Sequence, residues 1–181
     1  MIRAFVGIAL PDAVAARLER VQAGLPAGRP VGAGTLHVTL AFLGEQPGPV
    51  LEDLHHGLAA IRAPALALEI DGLGIFGGAR PRVLYAAIRP NGALSRLRER
   101  VLTAARMTGI EMPRERYVPH VTLARFSRPP GPEAQAALEG FVGSRAALVS
   151  PPFEIAEFVL FRSHLTANGA AYEALAEYPL G

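Results

Sequence analysis

The chain has 181 residues and neither cysteine nor lysine. Without cysteine there is no disulfide framework, no thiolate metal site and no cysteine nucleophile. Without lysine there is no Walker lysine, no Schiff base and no lysyl-nucleotide intermediate, which excludes a ligase that adenylates itself on lysine. All eighteen basic residues are therefore arginine. The guanidinium fork matches phosphate oxygens and suits nucleic-acid contacts, although a composition bias replacing lysine throughout gives the same count. No run approaches the ~18 apolar residues of a membrane span. The apolar opening MIRAFVGIAL is cut by Arg3 and lacks a basic n-region and a small-residue cleavage site. A soluble, cytoplasmic protein is expected. Histidine is scarce as well, with five in all.

What is present alternates between β and α patterns. IRAFVGIAL (2–10) reads as a strand bounded by Pro11, and DAVAARLERVQAGL as a helix with Val14, Leu18 and Val21 on one face and Gly24 as its stop. LHVTLAFLG (36–44) is a second strand, and PVLEDLHHGLAAIR (49–62) puts Val50, Leu54, Leu58 and Ile61 on one helical face. ALALEIDGLGIF (65–76) and RVLYAAI (82–88) read as strands joined by a glycine-rich turn, and GALSRLRERVLTAARMTG (92–109) as a helix ending at Gly109. HVTLARF (120–126) is again a strand, and a proline-bounded loop with one short helix follows it. FEIAEFVLFRS and AAYEALAEY flank a hairpin signal at Asn168-Gly169. The order predicts an α+β fold of two similar lobes, each supplying one central strand to a shared cleft. No linker separates the lobes, so residues 1–181 are read as one domain.

His37-Val38-Thr39-Leu40-Ala41 reappears as His120-Val121-Thr122-Leu123-Ala124. In a regular strand alternate side chains share a face. His37, Thr39 and Ala41 then point one way and Val38, Leu40 and Phe42 the other; His120, Thr122 and Ala124 likewise oppose Val121 and Leu123. Two such polar faces across a cleft would gather two imidazoles and two hydroxyls in one small volume. Imidazole titrates near pH ~6.5, so one ring can accept a proton while the other donates one. In-line displacement at a phosphodiester needs that division, a base for the attacking oxygen and an acid for the leaving oxygen. Threonine hydroxyls and a nearby arginine can hold the non-bridging oxygens. A purely structural duplication would keep the apolar letters and has no need of the histidine and threonine. As zinc ligands the two histidines have no carboxylate or cysteine at ligand spacing beside them.

With both motifs in view, the chain resembles the two-histidine phosphoesterase superfamily, defined by paired H-x-T-x motifs. Within it the chain is similar to the LigT-like RNA 2',3'-cyclic phosphodiesterases, historically called 2'-5' RNA ligases. RAFVGIALP, RPRVLYAAI, PHVTLARF and FVLFRSHLTANGAAYEALAEYPL occur in the order seen in that subfamily. The resemblance implies a bilobal, pseudo-twofold-symmetric fold, with antiparallel-rich sheets around a central cleft and helices outside. It implies hydrolysis of a terminal ribonucleoside 2',3'-cyclic phosphate to a 2'-phosphate, with no metal and no other cofactor. His37 would be the proton donor to the leaving 3'-oxygen, His120 the proton acceptor that activates water, and Thr39 and Thr122 the phosphate holders. The order of acid and base rests on the resemblance alone, since the two motifs are symmetric in sequence.

Arg125 matches a basic position that follows the second motif in the subfamily and is assigned to phosphate binding. Strand parity turns it away from the cleft unless a bulge, twist or strand end brings it round; an edge salt bridge is the alternative. Relatives read Arg-Pro-aromatic-x-Pro-His before the second motif, where this chain has Glu115-Arg116-Tyr117-Val118-Pro119-His120. Arg114 and Arg116 are thus equal candidates for the basic role. Tyr85, Tyr117 and Phe42 complete the substrate-binding set. The tyrosines either stack on a terminal base or pack as cleft wall.

The expected partners are RNA ends or nucleoside 2',3'-cyclic phosphates, with no membrane, no protein partner and a monomeric state. Two other readings remain: 2'-5' ligation or cleavage of 2'-5' linkages at the same site, and a non-catalytic RNA-end binding module. His55 and His56 fall on the solvated face of their helix, and His164 has no partner in sequence. The glycines of GLGIFGGARP read as turn residues and form no dinucleotide fingerprint.

Overall fold

The computed structural model describes residues 1–32, 34–112, 116–166 and 169–181. In chain order the elements are β1 (Ile2–Ala9), α1 (Asp12–Gln22), β2 (Arg29–Pro30), β3 (His37–Gln46), α2 (Gly48–Ala59), β4 (Leu66–Leu68), β5 (Ile70–Phe76), β6 (Val83–Ile88), α3 (Gly92–Met107), β7 (His120–Arg125), α4 (Pro132–Gly143), β8 (Phe153–Ile155), β9 (Glu157–Thr166) and β10 (Gly169–Pro179). One antiparallel sheet runs in the order β10-β9-β1-β3-β7-β6-β5, with β2 added to β7, and β4 pairs with β8 in a separate two-stranded sheet. The architecture is α+β, as expected. The two copies of the repeat are β3 and β7, neighbours at the centre of the main sheet. They pair at a single register position, Val38↔Val121, so the two halves are joined there.

Binary patterning decides which face of each strand is covered. Along β1 the buried Ala4, Val6 and Ile8 meet Val38, Leu40 and Leu43 of β3 and Val121 and Leu123 of β7 in one core cluster. The helices close over it: α3 packs on β3 and on α2, α1 on β7 and α4 on β5. The longest of them, α3, shows how local sequence builds such an element. Asn91 accepts hydrogen bonds from the Ala93 and Leu94 N–H groups at 2.9 and 3.1 Å, a cap that stabilises by about 1 kcal/mol. Leu94, Leu97, Val101 and Leu102 then bury one stripe, and Gly109, at φ +82°, ends the run in a conformation that other residues resist.

Two stretches that alternate without a break in sequence are broken in space. Residues 65–76 divide at Glu69 into β4 and β5, and residues 153–163 divide at Ala156 into β8 and β9; each change moves the chain from the small sheet to the large one. Leu66, Leu68 and Ile70 stay buried throughout. Alternation records which side is buried and carries no information on which strand is the partner. Gly72 and Gly74 lie inside β5 rather than in a turn, Gly72 at φ +86° where the register with β6 slips. The final hairpin pairs Thr166 with Gly169, while Asn168 lies outside the described residues. Among the described residues no helix is long and apolar enough to cross a membrane.

Candidate active site

Both motif strands carry an extra residue at the same place. Gly7 pairs with Thr39 and Val6 with Ala41, skipping Leu40; Tyr85 pairs with Thr122 and Leu84 with Ala124, skipping Leu123. A bulge of this kind reverses the parity of everything that follows. Ala41 and Ala124 therefore turn into the core beside the leucines, at 4% and 0% exposure, while Phe42 swings out to 64%. This corrects the expectation that the alanines share the histidine face and that Phe42 lies with the core. The same reversal puts Arg125, paired with Val83, on the side of Tyr85, Thr122 and His120. Burying a Leu-Ala pair in succession favours the bulge, and the cleft gains the side chain that comes next.

The two imidazoles are held in the same way. His37 Nδ1 donates to the Thr35 carbonyl and His120 Nδ1 to the Val118 carbonyl, each at 2.7 Å and each two residues upstream. A carbonyl can only accept, so both rings keep their proton on Nδ1 and present Nε2 as the reactive nitrogen. Thr39 Oγ1 lies 3.0 Å from His37 Nε2 and donates to it when the ring is neutral. Among the described residues His120 bonds through Nδ1 alone. Aromatic walls fix the ring planes: Phe5 and Tyr172 stand 4.7 and 5.1 Å from His37, and Phe76 and Tyr85 stand 4.9 and 5.3 Å from His120.

Two glycines make room for these walls. A Cβ at Gly7 would come within 3.1 Å of the Val38 carbonyl and 3.4 Å of the His37 ring, and one at Gly74 would overlap the Tyr85 ring. Phe5, Tyr172, Phe76, Gly7 and Gly74 are absent from the sequence-derived site. Phe5 and Gly7 share a strand parity that was legible, but their pairing with the His37 strand was not. Tyr172 and Phe76 arrive from distant segments.

Burial is the main influence on both histidines and lowers the pKa of each below the ordinary imidazole value. The Thr35 and Val118 carbonyls act in the opposite sense, His120 and Arg125 depress His37 further, and Arg125 depresses His120. The three groups thus share one electrostatic environment. Tyr117 is tied to the neighbouring motif strand. Its hydroxyl donates to the Thr39 carbonyl at 2.9 Å, and the Arg98 guanidinium covers its ring at 4.3 Å. Burial pushes the Tyr117 phenol up, so it stays a donor.

Two cavities flank the histidines, with Phe42 between them. The smaller, about 350 Å³, is bounded by Phe42, Phe76, Arg116, Tyr117 and His120; the larger, about 730 Å³, by Phe5, Thr35, Phe42, Arg125 and Tyr172. Arg116 is exposed at the smaller one, and Arg114 lies outside the described residues. Tyr85 is stacked on Phe76 at 4.1 Å and serves as wall. Away from the site, His55 is half-buried and shares a 3.0 Å hydrogen bond with Tyr178, so it is not simply solvated. His164 pairs with Glu173 across the hairpin at 2.8 Å, a partner the sequence did not reveal. Among the described residues no three His, Cys, Asp or Glu side chains gather closely enough to hold a metal ion.

A family model described as the 2'-5' RNA ligase superfamily matches residues 10–167. The chain belongs to the 2'-5' RNA ligase superfamily. A superfamily relative from Thermus thermophilus, named RNA 2',3'-cyclic phosphodiesterase, is 33% identical over 99% of this chain and 90% of its own length. One of the same name from Aeropyrum pernix is 32% identical, covering 78% of this chain and 80% of that protein. A third, from Geobacillus stearothermophilus, is 32% identical over 80% of this chain, which spans only 45% of that longer protein. The crystal structure of E. coli LigT complexed with 3'-AMP superposes with a TM-score of 0.79 at 26% identity, covering 99% of this chain and 98% of that one.

Proposed function

We propose that the chain hydrolyses the 2',3'-cyclic phosphate at an RNA end to a 2'-phosphate, by acid–base catalysis between His37 and His120 without a metal ion. The observation that carries this reading is the pair of Nε2 atoms on adjacent strands, each presented by an Nδ1–carbonyl bond two residues upstream. The names of the superfamily relatives point to the same substrate. In the reaction, water attacks phosphorus in line with the 3'-oxygen. His120 Nε2 takes a proton from the water as the new phosphorus–oxygen bond forms. His37 Nε2–H gives its proton to the 3'-oxygen as that bond to phosphorus breaks, leaving a 2'-phosphate and a free 3'-hydroxyl. Thr39, Thr122 and Arg125 hold the non-bridging oxygens, where charge accumulates.

Depressed pKa values suit the base, which must be neutral to start. The acid must be charged, and a bound phosphodiester anion favours the imidazolium, opposing the influence of Arg125. The apolar smaller cavity, with Phe42 and Phe76 on its walls, accommodates the terminal base. Ligation would be the same displacement with the 5'-hydroxyl of a second RNA in place of water, its proton taken by the same base as the 3'-oxygen leaves, and water at bulk concentration favours hydrolysis.

Phosphorus NMR tests the reading. EDTA-treated protein is incubated with adenosine 2',3'-cyclic phosphate and with a short RNA ending in that group. Appearance of 2'-phosphate is expected. A 3'-phosphate product would reverse the leaving-group assignment, and no turnover of either substrate would remove the activity altogether.

A further inference from the structure

The larger cavity contains more positive charge than one phosphate requires. Three arginines line it, Arg3, Arg29 and Arg125. Arg3 lies on the same face of β1 as Phe5, two residues away. Arg29, on β2, is the register partner of Arg125 on β7. Directly opposed residues in an antiparallel pair project on the same face, and like charges placed there repel. Among the described residues none of the three forms an ion pair with a carboxylate, although Glu45 is the cross-strand neighbour of Arg3. Arg3 and Arg125 both act on the Tyr172 phenol, which places them around the same cavity wall. The rim adds apolar surface, with Phe42 at 64% and Leu165 at 79% exposure. Unpaired cations beside an exposed aromatic ring, here Phe42, are the features of a groove for single-stranded nucleic acid, where phosphates meet arginines and bases stack.

We propose that this groove holds the phosphodiester backbone of the RNA strand on the 5' side of its cyclic-phosphate end, with Arg3 and Arg29 as ligands for the phosphate next to the terminal nucleotide. The inference rests on the hydrolytic reading of the histidine pair and deepens it. A mononucleoside cyclic phosphate reaches Arg125 and the histidines but has no group for Arg3 or Arg29, so an oligonucleotide end is the better substrate.

The test compares adenosine 2',3'-cyclic phosphate with a tri-adenylate ending in the same group, using wild type, R3A, R29A and the charge reversal R29E. Wild type is expected to favour the trimer in kcat/KM by about tenfold or more, with a steeper salt dependence, since each released phosphate contact on a single strand changes the log–log slope by about 0.7. R3A and R29A are expected to lose most of that advantage and flatten the slope, with R29E losing more. In R3A and R29A mononucleoside turnover should stay within about threefold of wild type, because only the trimer has a phosphate for these arginines to neutralise. Equal losses on both substrates, or no preference for the trimer, would overturn the groove. Should neither substrate turn over, hydrolysis fails as a reading and the groove is judged by fluorescence anisotropy. Binding of a 2'-phosphate-ended trimer that weakens in R29E would support it, and absence of such binding would overturn it.

Discussion

β3 and β7 carry the same five residues, the same bulge and the same Nδ1 anchor, but each bulge delivers a different side chain to the cleft. On β3 it is Phe42, and on β7 it is Arg125. The strands opposite them differ too: Gly7 faces Thr39 and leaves space, while Tyr85 faces Thr122 and fills it. On the proposed mechanism, what is duplicated is the proton carrier, a histidine anchored through Nδ1 with a threonine two residues on. What is not duplicated is recognition, where a base needs a flat apolar surface and a phosphate needs a cation. Placing the varied residue just after the bulge lets it change without disturbing the histidine four register pairs upstream.

The largest expected effect comes from making the two strands equivalent by removing both histidines in turn. His37→Ala and His120→Ala should each lower kcat by about 10²–10⁴-fold, the range for general acid–base catalysis. The double variant should lose little more than the worse single one, because the two act in one step. Unchanged circular dichroism in all three would locate the loss in chemistry.

The pH profile separates their roles. A base must be neutral, so the rate rises through its pKa; an acid must be charged, so the rate falls through its own. Both histidines are lowered by burial, so both limbs of kcat/KM, which belong to the coupled pair, are expected on the acid side of the ordinary value of ~6.5. Residual activity in H120A should lack the acidic limb and in H37A the basic one; the reverse would exchange acid and base.

Arg125→Ala and Phe42→Ala probe the difference between the strands. Loss of Arg125 should cost about 10²-fold in kcat/KM, the scale of one preorganised charge-stabilising group. It should also move both limbs toward higher pH, since Arg125 depresses both histidines. Phe42→Ala should leave the profile in place and raise KM by about tenfold, within the ~1–3 kcal/mol of one stacked base. A shift of the profile in F42A would contradict the division of labour between the two positions.

The paired histidines and threonines, the α+β class and most element boundaries were legible because they rest on local pattern. Strand periodicity exposed His37 with Thr39 and His120 with Thr122, and proline and glycine marked the ends. Partners across the sheet were not legible, and three misreadings share that cause. Ala41 and Phe42 exchanged faces because a bulge is a property of two strands in register, invisible in either alone. Residues 65–76 split because Leu66, Leu68 and Ile70 alternate identically whether their neighbour is β8 or β6. Gly74 was read as a turn residue because the Tyr85 ring it admits comes from the next strand. A run of two buried apolar residues within an alternating strand, Leu40-Ala41 and Leu123-Ala124, is the one local trace the bulges leave.

The smallest expected effect concerns the tie between the strands. Tyr117→Phe keeps the ring beneath Arg98 but removes the donor to the Thr39 carbonyl. Leaving a partly buried carbonyl without its partner costs about 1 kcal/mol, or roughly 2–4 °C in the unfolding midpoint of a chain this long. If the tie only holds the fold together, the midpoint falls and the kinetics stay as they are. If it also sets the position of Thr39 against His37 Nε2, kcat falls a few-fold at constant KM, and the limb lost in H37A moves while the other stays. No such tie is recorded at Thr122 among the described residues. A shift confined to the His37 limb would therefore mark β3 as the strand whose geometry is held by a side chain from the other half.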